Sequence, residues 1–83
     1  LFTKETEDLT KYQINYLRAF CAGERKFTSQ RVLRQYQLGS AGNIRRIEKV
    51  MEDAEIIDYF AGEPVFCDPY FEPWFRRYFM ADA

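Results

Sequence analysis

Early in the chain the apolar residues recur at helical spacing. Thr10 with Gln13 has the form of a capping box, in which each side chain satisfies a backbone N–H that the first helical turn leaves unpaired. Leu9 before the cap and Ile14 after it are placed as a hydrophobic staple, so a helix is predicted from near Lys11. Ile14, Leu17, Phe20 and Cys21 form its inward stripe, and the helix ends near Gly23. Phe27 then lies in a short extended piece. Thr28 or Ser29 caps a second helix with Val32, Leu33 and Tyr36 facing inward, and that helix stops at Leu38-Gly39. Ser40 caps a third, whose apolar positions Ile44, Ile47, Val50, Met51 and Ala54 recur over about four turns. Asn43, Arg45, Arg46 and Lys49 fall on its polar side.

Beyond Ala54 the period changes. Ile56, Ile57, Tyr59 and Phe60, then Ala61-Gly62-Glu63-Pro64, then Val65 and Phe66 read as a hairpin around a Gly/Pro turn. A two-stranded ribbon is marginal alone, so it must lean on the helices. Asp68 is placed to cap a turn opening at Pro69. Phe71, Trp74, Phe75, Tyr78 and Phe79 then recur at helical spacing. Because proline lacks an N–H, Pro73 is expected as the first residue of that last helix, with a looser turn before it. No internal repeat, low-complexity tract or linker interrupts the chain.

Helix, short extended piece, helix, tight turn, helix, hairpin is the order of a winged helix-turn-helix domain. The fold class expected is mostly α with a small β-hairpin (α+β): a three-helix core plus a wing and a C-terminal aromatic helix. At 83 residues, 47% of them apolar, the chain suits a single domain over 1–83. It contains no run of about 18 apolar residues and no signal-peptide pattern, so the cytoplasm is the expected location. It opens at Leu1 rather than Met and is expected to be a piece of a longer protein. Cys21 and Cys67 stand far apart with no CxxC spacing and are read as packing residues.

Catalysis finds little to work with. Histidine is absent, which removes His-based acid/base chemistry, Ser-His and Cys-His nucleophile pairs and mixed Cys/His metal sites. A P-loop needs GxxxxGK[ST] so that backbone N–H groups and a lysine cradle phosphates. Gly39-Ser40-Ala41-Gly42 is too short, lacks the lysine, and reads as a helix-helix turn. Glu52, Asp53, Glu55 and Asp58 read as a solvated acidic face rather than a metal or acid/base site. No catalytic residue, metal site or bound cofactor is expected.

Charge bears on nucleic acid in two directions. Residues 28–51 carry five basic side chains (Arg31, Arg34, Arg45, Arg46, Lys49) against Glu48 alone, the footprint of a DNA-reading face. Arg45, Arg46 and Lys49 could meet phosphates or guanine edges and Asn43 could pair with adenine, so Ser40, Asn43, Arg45, Arg46 and Lys49 form the candidate nucleic-acid face. Residues 52–75 carry seven acids and no base, with Glu63 at the presumed wing tip. That acidic stretch repels a phosphate backbone and leaves few contacts to drive counterion release.

Leu38-Gly39-Ser40, Asn43-Ile44, Arg46, Met51 followed by Glu52, the Ile56-Ile57 pair, and Asp68-Pro69-Tyr70-Phe71 with Trp74 resemble the winged-helix segment that follows the ATPase core in archaeal-type AAA ATPases of the signal-transducing class, which also occur in bacteria. The resemblance spans residues 9–79. It departs from the usual form at Ala54-Glu55, where a glycine commonly ends the third helix, and at Pro73. It implies a non-catalytic relay or docking module, with ATP and magnesium held only by the missing ATPase domain. The partners implied are that adjoining ATPase domain or another subunit; the alternative is a DNA-binding transcriptional regulator domain. Tyr70, Phe71, Trp74, Phe75, Tyr78 and Phe79 exceed one inward stripe and form the candidate docking surface, which an isolated copy would bury as a homodimer.

Overall fold

A computed structural model describes residues 2–60 and 62–80. The order is α1 (Phe2–Glu7), α2 (Lys11–Cys21), α3 (Gln30–Gln35), α4 (Ala41–Asp53), β1 (Ile57–Asp58), β2 (Val65–Phe66) and α5 (Phe71–Phe79). The domain is mostly helical with one antiparallel hairpin, in which Ile57 pairs with Phe66 and Asp58 with Val65. The part of the hairpin turn expected at Ala61 lies outside the described residues. The Cα radius of gyration, 12.0 Å, matches the roughly 12 Å of a compact chain this long.

Side chains start the three middle helices. The Thr10 hydroxyl accepts from the Gln13 N–H at 3.3 Å while the Thr10 N–H donates to Gln13 Oε1 at 2.9 Å, a complete capping box. Ser29, rather than Thr28, caps α3, and Ser40 caps α4. All three helices end in one motif, with the N–H three residues past the last helical residue bonded back to a carbonyl inside the helix: Glu24 to Ala19, Leu38 to Leu33, Ile56 to Met51. The motif needs a left-handed residue just before that donor. Gly23 supplies it after α2, but Gln37 (φ 56°) and Glu55 (φ 58°) supply it after α3 and α4.

The core lies where α2, α4, β1 and α5 meet. Tyr16, Leu17, Val32, Leu38, Ile47, Met51, Ile57 and Phe75 are its largest fully buried side chains, and Phe20, Phe27, Ile44, Ile56 and Phe71 join them. Two arginines tie α2 to α5 reciprocally. Arg18 on α2 donates to the Phe79 carbonyl at 3.3 Å, and Arg76 on α5 donates to the Cys21 carbonyl, so each helix satisfies an end carbonyl of the other.

Several expectations are corrected. The inward face of α2 includes Tyr16, Asn15 and Ala19, while Ile14 is half-buried. Ala54 is exposed as the cap residue of α4 rather than part of its inner stripe. Helix α5 begins at Phe71, with Pro73 as its third residue. The first four N–H groups of a helix have no intrahelical acceptor, so a proline there removes no bond. Asp68 does form the expected turn, its carboxylate accepting from the Tyr70 N–H at 2.8 Å. Helix α1 carries no cap signal in its sequence and adds an element to the expected order; Phe2 holds it, packing edge-on to Phe71 with ring centroids 5.3 Å apart. Cys67 is exposed rather than packed, since it follows the half-buried Phe66 in the alternation past β2.

Candidate nucleic-acid and docking faces

The α3–α4 turn uses part of the candidate nucleic-acid face internally. The Ser40 hydroxyl accepts from the Asn43 N–H at 3.3 Å, and the Asn43 amide donates to the Leu38 carbonyl at 3.0 Å. Gly39 suits the turn through its backbone, whose φ of 87° is one that L side chains rarely adopt. Ser40 and Asn43 therefore build the turn, and a base edge would have to compete with those bonds.

Arg45, Arg46 and Lys49 project into solvent from the side of α4 opposite Ile44, Ile47 and Met51. Lys49 Nζ stands 3.4 Å from Asp53, one turn on. Arg31, counted on the same basic face from sequence, is turned away: it grips Glu24 at 2.7 and 3.1 Å and hydrogen-bonds Gln35. The guanidinium holds the Glu24 carboxyl below the usual range, chiefly through the hydrogen bond. Arg34, Arg45 and Arg46 enter no ion pair among the described residues.

Sequence reasoning missed two further cations. Arg25 and Lys26, in the link between α2 and α3, line an open cleft of about 420 Å³ together with Thr28, Ser29, Arg45 and Glu48. The signal was present as Arg25-Lys26 just before the counted window, but only the packing of that link beside α4 brings them to Arg45. A second cleft of about 340 Å³, lined by Tyr12, Gly39, Ser40, Gly42, Asn43 and Arg46, lies at the start of α4.

The hairpin is joined to the helices by a hydrogen-bond chain that the sequence did not disclose. The fully buried Tyr16 hydroxyl lies 3.1 Å from Glu48 Oε2 and 3.1 Å from the Tyr59 hydroxyl. The Tyr16 hydroxyl donates its one proton to Glu48, which leaves Tyr59 to donate to Tyr16. Burial pushes the Tyr59 phenol up to about 12, and pushes Tyr16 up as well. Beyond Tyr59 the hairpin turns apolar: Phe60 is 85% exposed, Val65 is also exposed, and Glu63 faces solvent. The acids Glu48 and Glu52 stand with Arg45 and Lys49 in the groove between α4 and Tyr59.

The six aromatics of the candidate docking surface divide. Phe71 and Phe75 belong to the core at 2% and 0% exposure, a correction to their place on the surface, because they face α2 and the hairpin. Tyr70 and Tyr78 are exposed, and Trp74 and Phe79 are half-buried at the margin. Trp74 packs against Phe2, Phe71, Tyr78 and Phe79, so α1 and α5 share an aromatic seam.

Among the described residues no group of three or more His, Cys, Asp or Glu side chains is placed to hold a metal ion, and no helix is long and apolar enough to cross a membrane. No family model, curated protein or solved structure gives a significant match to the chain.

Proposed function

We propose that the domain is a winged-helix docking module, a non-catalytic relay between an AAA-type ATPase domain and its neighbours. The observation that carries this reading is the chemistry of the hairpin and α5. Phe60 and Val65 on the hairpin, and Tyr70 and Tyr78 around α5, present apolar and aromatic surface to solvent where a phosphate backbone would need cations. As a wing the hairpin offers Glu63 and no base. The polar groups at the start of α4 are already engaged in the turn. A neighbouring protein surface suits such a face, since aromatic side chains carry interface affinity and acids at a rim set orientation.

The second reading, a DNA-binding regulator domain, is favoured by Arg34, Arg45 and Arg46, which have no acidic partner among the described residues, and by Arg25 and Lys26, which line a cleft with Arg45. Titration of a labelled mixed-sequence DNA duplex, followed by fluorescence anisotropy at low and near-physiological salt, separates the two. The docking reading expects weak binding that vanishes at the higher salt. Tight binding that persists there and is lost in the Arg45→Ala/Arg46→Ala variant makes the domain a DNA reader.

A further inference from the structure

The face shared by α1 and α5 carries opposite charges on its two sides. Thr3, Ile14, Trp74, Tyr78 and Phe79 line an open, largely apolar groove of about 360 Å³ with Glu7 at its α1 edge. Tyr78 is 62% exposed, and Ile14, Trp74 and Phe79 are half-buried, so aromatic and aliphatic area is left in water. On the α5 side Arg77 is exposed, its guanidinium carbon 5.7 Å from the centre of the Tyr78 ring. Its neighbour Arg76 is committed to Glu72 and the Cys21 carbonyl. On the α1 side the exposed Glu7 borders the groove, whereas Glu5 turns to a separate cleft with Glu55 and Asp68. Among the described residues neither Glu7 nor Arg77 belongs to an ion pair.

We infer that this face binds a second copy of the same chain, in a two-fold arrangement that sets Glu7 of each copy against Arg77 of the other. A partner of one uniform charge would be attracted on one side of the groove and repelled on the other. A second copy related by a two-fold axis meets both sides with the opposite sign, so each contact is made twice. Trp74 and Tyr78 bury against their counterparts and supply the affinity, while the charge pairs fix the orientation. The inference rests on reading α5 as a docking face and names its occupant. The DNA titration tests that reading at α4 and the hairpin, whereas the assay below interrogates only α1 and α5, so the two fail separately.

Sedimentation velocity on the wild type, on Glu7→Arg and Arg77→Glu separately, and on an equal mixture of the two variants tests the arrangement. The wild type is expected to be a reversible dimer, with Kd between about 1 and 100 µM. Each single variant places like charges together twice and is expected to dimerise at least about tenfold more weakly. The mixture is expected to regain the wild-type affinity, because the introduced arginine of the first variant then meets the introduced glutamate of the second, while the native Arg77 of the first meets the native Glu7 of the second. A pairing of Glu7 with Arg77 inside one molecule cannot produce that recovery. Both side chains are exposed, so the fold is expected to survive by far-ultraviolet circular dichroism, and Arg77→Lys, which keeps the charge, is expected to keep the dimer. A monomeric wild type, single variants that dimerise as the wild type does, or a mixture that stays monomeric overturns the inference.

Discussion

Glu55 and Gln37 hold a left-handed backbone that crowds an L side chain against its own carbonyl, yet the return bonds of Ile56 to Met51 and Leu38 to Leu33 require that conformation. Glycine removes the crowding at the cost of extra freedom in the unfolded chain. Glu55→Gly and Gln37→Gly are each expected to raise stability by about 0.5–1 kcal/mol, read as a higher urea midpoint with unchanged slope. Tyr59 makes a prediction of the other kind. Its folded value of about 12 lies above the usual tyrosine value of 10.0, so the neutral phenol is favoured by folding. Its contribution is complete below pH 10.0 and is lost as pH rises towards about 12. Tyr59→Phe is expected to cost about 1 kcal/mol at neutral pH and to weaken the alkaline loss without abolishing it, since Tyr16 titrates in the same direction. Circular dichroism during alkaline titration reads both effects.

Among the helices and the hairpin, local chemistry at the helix ends does most of the positioning. The Ser40 cap sets the start of α4, and with it the direction in which Arg45, Arg46 and Lys49 point. Ser40→Ala is expected to cost about 1 kcal/mol, whereas Ser40→Asp, which keeps an acceptor for the Asn43 N–H, is expected to cost little; thermal melts compare them. Helix α5 shows how tertiary contacts replace a cap. Tyr70 contributes no side-chain bond at its start, and the helix is held instead by the Asp68 turn, the reciprocal arginines and the burial of Phe71 and Phe75. The hairpin is short, so its place beside α4 depends on Ile57 in the core and Tyr59 on Tyr16. Phe60 lies outside that support at 85% exposure, and Phe60→Ser is expected to change stability by less than about 0.5 kcal/mol.

For the domain taken together, total stability at this chain length is on the order of 4–12 kcal/mol. One core aromatic is a large share of that. Phe75 is fully buried and stacks on Phe79 with centroids 4.6 Å apart. Phe75→Ala is expected to cost about 3–5 kcal/mol and to leave a sizeable unfolded fraction, seen as a lower and broader melting transition. The same small core explains the surface. With the five helices and the hairpin arranged around one cluster, no described element covers Phe60, Tyr70 or Tyr78, and those aromatics remain available to a partner.

Read residue by residue, the chain already specifies the helices from α2 to α5, the starts of α2 and α4 and the existence of the hairpin. Those features follow from local chemistry: a hydroxyl that satisfies an orphan N–H, a three-and-four-residue apolar period, and a change of period at a Gly/Pro turn. The exposed bases of α4 and the acidic stretch after it are equally legible, because charge is counted along the chain. The remainder comes from packing. Helix α1 exists because Phe2 finds Phe71 and Trp74, residues at the far end of the chain. Arg31 leaves the basic face for Glu24, Arg25 and Lys26 join Arg45, and Tyr59 meets Tyr16, all through contacts between separate elements. Whether an aromatic of the last helix serves the core or a partner depends on where the helix lands, and a pattern of spacing carries no information about what lies opposite.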